Sequence, residues 1–456
     1  VFGQEGGVIR AQASDIAAWT GGTLIGADVL VEGIDKDSRT LPTGALYVAL
    51  AGERVDGHDF VAGLAGRAGA ALVARRIDRA LPQIVVPDVL PALQALARQW
   101  LARMPATVIA LTGSNGKTTT KTLTAAMLSR CAPTHATPGN YNNEIGVPLT
   151  VLGLAPGHRF AVVEMGCGKP GDIDELAAIA PPHVAGITNV GPAHLERLGS
   201  VEGVARAKAG VYRGLRAGGT AVIPADDAFA AYLAAQAGDR RRLRFAIDAE
   251  AEVRARDLVV GTVSRFRLET PAGSREVELP LPGRHNVQNA LCAAALALAA
   301  GADLDAIAGA LAEARPVAGR QRRLALRGAV LYDDSYNANP GSLAAAIETL
   351  ALEPAPRWLV LGDMAELGPE AAELHRRCGE LARARGIERL YAIGPLSAAA
   401  VAAFGSGARH FAHIDELCAA LDQDLEPGAT VLVKGSRSAR MERVLAALAG
   451  AAQEVH

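Results

Sequence analysis

The sequence predicts an α/β chain of three units, and three observations carry that reading. An apolar run, Thr107-Val108-Ile109-Ala110-Leu111, leads through a small-residue turn into a helical pattern at Lys121–Arg130 with Leu123, Met127 and Leu128 on one face. Short apolar runs alternate with helical patterns along most of the chain, which argues parallel sheets with crossover helices. A chain of 456 residues, 50% of them hydrophobic, exceeds one ordinary core and fits about three domains.

The first unit, residues 1–85, reads as a small α/β domain. Ser14 is placed to cap a helix through Ile16–Thr20. Strands are expected at Leu46–Leu50 and Ala71–Ala74, with a strand end at Val85-Val86-Pro87 and an amphipathic linking helix over Pro91–Met104. The second unit, residues 86–314, contains the turn described above and further buried strands at Phe160–Glu164, Val184–Thr188 and Thr220–Ile223. From Ala251 to Leu281 the pattern alternates around Pro271-Ala272-Gly273, which predicts a small antiparallel insertion or edge; a helix over Asn286–Ala300 closes the unit. The third unit, residues 315–456, has strands at Val330–Asp333, Trp358–Leu361, Leu390–Ile393 and Thr430–Val433 separated by helices, a doubly wound, Rossmann-like pattern. Its Gly405-Ser406-Gly407 triplet lacks a third glycine and a preceding strand, so no nicotinamide site is expected there.

Composition removes several function classes. With 46 basic and 48 acidic residues the formal net charge is −2, which gives no electrostatic footprint for nucleic acid. The run Arg240-Arg241-Arg242-Leu243-Arg244 reads as a solvated loop before a strand. Five scattered cysteines with no CxxC pair argue against disulfides and fit a reducing cytoplasm; Cys167, between two glycines, is the one thiol placed to line a site. No leader is expected, and the Ala290–Ala300 run is too short to span a bilayer, so no membrane partner is expected either.

The chemistry concentrates at strand ends. In Gly113-Ser114-Asn115-Gly116-Lys117-Thr118-Thr119, small residues let backbone N–H groups close around phosphate oxygens, Lys117 adds a mobile charge and the Thr118 hydroxyl is a candidate Mg²⁺ ligand. The first glycine of the usual pattern is replaced by Leu111. This remains a P-loop-type ATPase signature by its flanking strand and helix. Glu164 ends its strand, while Asn189 and His194 follow the next one and Lys208 lies on the helix after it. A hard cation beside ATP phosphates wants such oxygen ligands, with His as an acceptable nitrogen. Each also has a plain reading, as a helix partner, a hydrogen-bonded loop His or a solvated Lys. The amide-rich stretch Pro138–Pro148, with Asn140, Asn142 and Asn143, suits a polar ligand with many oxygens, or a set of Asx turns. His285 is placed to stack on an adenine, and Asn286 to cap its helix or face a base edge, with Asn289 beyond it. In the third unit Asp334 follows a strand and suits a ribose hydroxyl; Lys434-Gly435-Ser436-Arg437 follows another strand and suits a carboxylate.

Taken together, these segments resemble the Mur ligases, ATP-dependent amide ligases of peptidoglycan precursor synthesis, over nearly the whole chain. Three runs carry the resemblance beyond the phosphate loop: Asp37-Ser38-Arg39 with Gly52–Phe60, Gly139–Gly146, and Asp334-Ser335-Tyr336-Asn337-Ala338-Asn339-Pro340. The Asp-Asn-Pro-Arg run of the member that adds diaminopimelate does not occur. The resemblance implies that D-alanyl-D-alanine is joined to UDP-N-acetylmuramoyl-tripeptide through an acyl phosphate, in the cytoplasm and by a monomer. It implies a first domain that binds the uridine nucleotide through Ser38 and Arg39. It implies ATP bound by residues 113–119 with His285, Asn286, Asn289, Arg320 and Asp334. It implies two Mg²⁺ held by Thr118, Glu164, His194 and a carbamylated Lys208, with Lys117, Lys208 and His194 in catalysis. The remaining substrate contacts would be Asn140, Asn142, Asn143, Asn337, Asn339, Lys434, Ser436 and Arg437. Two other classes stay open: another Mur ligase or a folylpolyglutamate-type ligase, the latter lacking the first domain, and a nucleotide switch that performs no ligation.

Overall fold

The computed structural model describes residues 9–52, 54–78 and 81–453; Glu53 of the Gly52–Phe60 run lies outside them. Three sheets of five, nine and six strands follow one another along the chain, with a two-stranded ribbon at the start.

The five-stranded sheet runs in the order Thr23–Ile25, Gln83–Val85, Ala70–Val73, Leu46–Val48, Ile34–Asp35. Ser14 does not cap the first helix, which begins at Ala13. Its hydroxyl instead donates to Asp28 at 2.7 Å, tying the helix to the following loop. The linking helix is Val89–Leu101, capped by the Asp88 carboxylate on the Leu90 N–H. Its apolar face, Leu93, Leu96, Ala97 and Trp100, belongs to one buried cluster that runs from Ile9 into the central sheet. The first and second sheets therefore share a core, and Trp100 Nε1 donates across it to Leu154 O at 2.9 Å.

The central sheet has the order Gly273–Leu279, Ser264–Thr270, Val253–Val259, Arg241–Ala246, Thr220–Pro224, Val184–Ile187, Thr107–Thr112, Phe160–Glu164, Thr134–Ala136. The alternating segment is an antiparallel hairpin pair continuous with this sheet. The arginine run is not a loop: Arg241–Ala246 is itself a strand whose first residues stay mostly exposed. Thr107–Thr112 lies third from the Thr134–Ala136 edge, parallel to both neighbours, with Leu111 opposite Glu164 and Thr112 opposite Ile187. Three carboxyl ends thus meet at one level, where the chain switches from one side of that strand to the other; ligands of open α/β sheets bind at such a crevice. The helix after the turn starts at Lys117, not Lys121. The β-branched run Thr118–Thr120 has poor helix propensity, but Thr118 and Thr120 are buried and tertiary packing overrides it.

The six-stranded sheet has the order Arg322–Leu326, Ala329–Asp334, Thr430–Lys434, Arg357–Gly362, Arg389–Ile393, Ala408–Phe411, parallel except for the first pair. Gly405-Ser406-Gly407 follows the helix Ala398–Phe404 and not a strand. That helix packs on Ala371–Ala384 so closely that a Cβ at Gly379 would sit 2.2 Å from the Ala400 carbonyl oxygen. Gly379→Val is therefore expected to lower stability by about 1–3 kcal/mol through overpacking. A denaturant midpoint equal to that of the parent chain would contradict the contact.

Candidate active site

The phosphate loop is a built structure, held by the turn that follows the neighbouring strand. Ser114 N donates to Asn189 O at 3.0 Å, Asn115 N to the Asn189 side chain at 3.0 Å, and Thr188 Oγ1 to Asn115 O at 2.5 Å. The Ser114 hydroxyl donates to Gly191 O and accepts from Gly191 N. No Cβ fits at Gly113, where it would lie 1.8 Å from Thr188 Oγ1. At Gly116 the backbone is left-handed, φ +78°, and a Cβ would lie 2.0 Å from Asn289 Oδ1. Both glycines are therefore steric requirements of the loop and of what closes over it.

A cavity of about 830 Å³ opens over this loop. Ser114, Asn115, Gly116, Lys117 and Thr119 line its floor, and Glu164 and His194 its strand-end wall. Asn142 and Asn143 come from the amide-rich stretch, and His285, Asn286 and Asn289 from the helix Arg284–Ala299. Arg320, Asp334, Asn337, Asn339 and Lys434 of the C-terminal unit form the far side. Not every expected residue arrives there. Asn140 is exposed and outside the cavity, since the chain turns through Asn142 N to Asn140 O. Ser436 is buried against Ser438, and Arg437 is exposed and paired with Glu442. Asn286 does not cap its helix; its amide reaches back to Pro282 O at 2.8 Å and accepts from Asn289. Ser38 and Arg39 lie on the first unit away from the cavity, where the Arg39 guanidinium forks onto Asp37. Arg67 pins that turn by donating to the carbonyls of Ser38, Arg39 and Leu41.

The electrostatics are unusual for a half-closed site. Glu164 is 1% exposed, its Oε1 accepts from Asn142 at 2.7 Å, and its Oε2 is buried without a hydrogen-bond partner. Lys121, also buried, stands 3.7 Å from that free oxygen while donating to Gly139 O. Lys117 folds back onto Gly113 O at 2.8 Å, and burial lowers its pKa against the pull of Glu164. Lys208 is not the solvated lysine its helix position suggests: it is 1% exposed, does not line the cavity, and burial with the nearby charge of Lys117 lowers it to about 7. Its charge also acts on Cys167 and on His194, so these groups share one neighbourhood. Burial, with Lys117 and Lys208, lowers His194 against the opposing effect of Glu366 and favours the neutral, ligand-competent ring.

The described residues contain no group of three His, Cys, Asp or Glu side chains able to hold an ion. Glu164 and His194 would need a third donor of another kind. Glu164 and His194 both line the cavity and the charge of Lys208 reaches His194, so a carboxylate, a neutral imidazole and, if the Lys208 amine becomes anionic, a further oxygen donor form a set that fits Mg²⁺. The Thr118 hydroxyl accepts from Arg320 at 2.9 Å and does not line the cavity, but a hydroxyl oxygen keeps a second lone pair.

Comparison with known proteins places this geometry in a family. The Mur ligase middle domain matches residues 111–297, the Mur ligase glutamate ligase domain 319–437, and the Mur ligase family catalytic domain 30–100. The UDP-N-acetylmuramoyl-tripeptide–D-alanyl-D-alanine ligase of Escherichia coli (strain K12) is 44% identical over 447 residues, covering 97% of this chain and 98% of that protein. The chain belongs to the Mur ligase family. Among solved structures, MurF from Acinetobacter baumannii superposes with a TM-score of 0.91 at 35% identity, covering 97% of this chain and 99% of that one. MurF from Thermotoga maritima in complex with ADP gives 0.82 at 28% identity, covering 93% and 98%.

Within this Mur ligase, sequence reading missed the residues that join elements. Lys121, Thr188 and Glu366 carry no motif of their own. Lys121 and Thr188 could have been noticed only as a cation and a hydroxyl one turn or one residue beyond a motif. The contact of Asn339 Nδ2 with Asn115 Oδ1, 2.7 Å, spans 224 positions and has no sequence signal. Neither has the stacking of Arg320 on Tyr336 at 4.4 Å.

Gly116→Ala is expected to weaken ADP binding at least ~10-fold. The left-handed backbone alone costs about 1–2 kcal/mol, and 1.4 kcal/mol is a factor of ten in affinity. Calorimetric titration of the full chain with ADP measures this directly.

Proposed function

We infer that this Mur ligase uses ATP to join D-alanyl-D-alanine to the terminal carboxylate of UDP-N-acetylmuramoyl-tripeptide, forming a peptidoglycan precursor, ADP and phosphate. One observation carries the mechanism: the phosphate loop and Glu164, whose Oε2 is buried without a hydrogen-bond partner, line one cavity whose far wall belongs to the C-terminal unit. We assign residues 1–85 to the uridine nucleotide, 86–314 to ATP and 315–456 to closure and the incoming dipeptide. Free cysteines throughout the described residues accord with a cytoplasmic setting. No helix among those residues is long and apolar enough to cross a membrane.

A carboxylate does not acylate an amine unaided, because oxide is a poor leaving group. In the first step the substrate carboxylate oxygen bonds to the γ-phosphorus of ATP and the bond to the β-bridging oxygen breaks, giving acyl phosphate and ADP. Two anions must meet, so charge neutralisation and alignment dominate the barrier. The backbone N–H groups of residues 113–117 and the Lys117 ammonium, released from Gly113 O, would take the β and γ phosphates. Thr118, Glu164, His194 and a carbamylated Lys208 would hold Mg²⁺, which when bound neutralises and aligns the phosphoryl and carboxylate oxygens. His285, Asn286 and Asn289 would face the base and Asp334 the ribose. In the second step the neutral dipeptide amine attacks the acyl carbon, its surplus proton passes to the departing phosphate, and the tetrahedral adduct collapses to amide as inorganic phosphate leaves with its bonding electrons. Asn337, Asn339 and Lys434 are placed to orient the dipeptide and, with the C-terminal unit closed, to keep water from the acyl phosphate. The carbamate on Lys208 forms when its neutral amine attacks CO₂ and loses a proton. A site that holds this amine near pKa 7 supplies the neutral form that reaction needs.

Two outcomes are expected. Lys117→Ala should abolish turnover while binding of the UDP-tripeptide survives, and phosphate release by the parent chain should require both the UDP-tripeptide and the dipeptide; retained turnover, or release without the amine, refutes the assignment. With ¹³C-bicarbonate the parent chain should show a carbamate resonance that is lost in Lys208→Arg. The resonance should fade as pH falls below about 7, where protonation of Lys208 removes the nucleophile.

A further inference from the structure

Glu366 lies in the loop after the C-terminal strand Arg357–Gly362, 172 positions from His194. Its carboxylate accepts from Nδ1 of His194, a residue of the central unit. A second contact joins the same segments: Glu196 N donates to Glu366 O at 3.3 Å. By exposure this looks like an ordinary surface pair, with side chains 32% and 46% exposed, and such pairs contribute little to stability. The backbone says otherwise. His194 has φ +54° and Glu366 φ +61°, so two non-glycine residues in the left-handed region meet across the junction of two units. Such conformations persist where the surroundings impose them, and they cluster at functional sites.

The loop that presents Glu366 is itself fixed. The fully buried His375 accepts at Nε2 from Met364 N, 2.9 Å, and bonds Ala371 O through Nδ1. The Asp363 carboxylate accepts from Ser397 N at 2.7 Å. A carboxylate on Nδ1 holds the proton on that nitrogen and leaves the Nε2 lone pair for a ligand. Carboxylate–histidine–metal relays work this way, and losing the outer carboxylate typically costs 10–100-fold in metal affinity or activity.

We propose that Glu366 is a positioning residue for His194, contributed by the C-terminal unit, so that the cation site of the central unit reaches its full affinity only when that unit docks. The proposal rests on the reading of Glu164, His194 and Lys208 as the cation site. In it, closure does more than exclude water. It orients one ligand, so the affinity for the cation and the docking of the C-terminal unit rise together, as linkage requires.

The test uses Mn²⁺ as a paramagnetic probe, titrated by EPR onto the full chain saturated with ADP. Glu366→Ala should weaken Mn²⁺ binding by roughly 10-fold or more and leave the KM for the UDP-tripeptide unchanged. Glu366→Gln, whose amide oxygen still accepts from Nδ1, should recover part of the loss. In a His194→Ala background Glu366→Ala should add nothing, because the carboxylate acts through the ring. Binding within about twofold of the parent in Glu366→Ala, or an equal further loss in the His194→Ala background, overturns the proposal while leaving the cation site intact. A parent chain whose ADP-dependent Mn²⁺ binding is unaffected by His194→Ala overturns both the site and the proposal.

Discussion

The arrangement depends on the hydrogen-bonded brace between residues 113–116 and residues 188–191. Two turns that follow adjacent parallel strands trade backbone and side-chain hydrogen bonds, so the phosphate loop is held open before any nucleotide arrives. Preorganised N–H donors lose little freedom on binding and need no reorganisation as charge moves. The brace exists because Thr112 and Ile187 are in register, which places both turns at one level of the sheet. Everything else in the site is arranged around that fixed edge.

Charge is the second constraint. Burial lowers the pKa of Lys117, Lys121 and Lys208; the Glu164 carboxylate opposes that effect on the first two, and the charge of Lys117 adds to it on the third. Burying cations without partners is costly, and the local answer is to lower their pKa or to bring an anion. In the function proposed above, a triphosphate would supply the anion for Lys117, and addition of CO₂ to Lys208 would reverse its charge and turn an unfavourable buried amine into an oxygen donor.

Contacts of different kinds carry the C-terminal unit into the site, among them Arg320 on Thr118, Asn339 on Asn115 and Glu366 on His194. Each reaches a residue assigned to phosphate or cation. Domain position and site chemistry are consequently linked, and a change at one is felt at the other. The first unit is joined differently, through a shared apolar core around Trp100 and the helix Val89–Leu101. A continuous core resists the relative movement that a polar junction allows.

The sequence by itself determined the buried strands that lead to the site, the phosphate loop and the strand-end residues Glu164 and His194, because apolar periodicity and glycine chemistry are local properties. Phe160–Glu164 was legible to the residue. Local patterns also marked His285, Asn286, Asp334 and Lys434, all of which line the cavity. Tertiary structure alone decided the rest. It started the helix at Lys117 because buried threonines outweigh propensity, left Asn140 and Arg437 outside, and buried Lys208 where helix periodicity suggested solvent. It alone brought Asn339 to Asn115 and Glu366 to His194. Such contacts join residues more than 150 positions apart, and their energies depend on sheet register and domain docking, which no local run of side chains encodes.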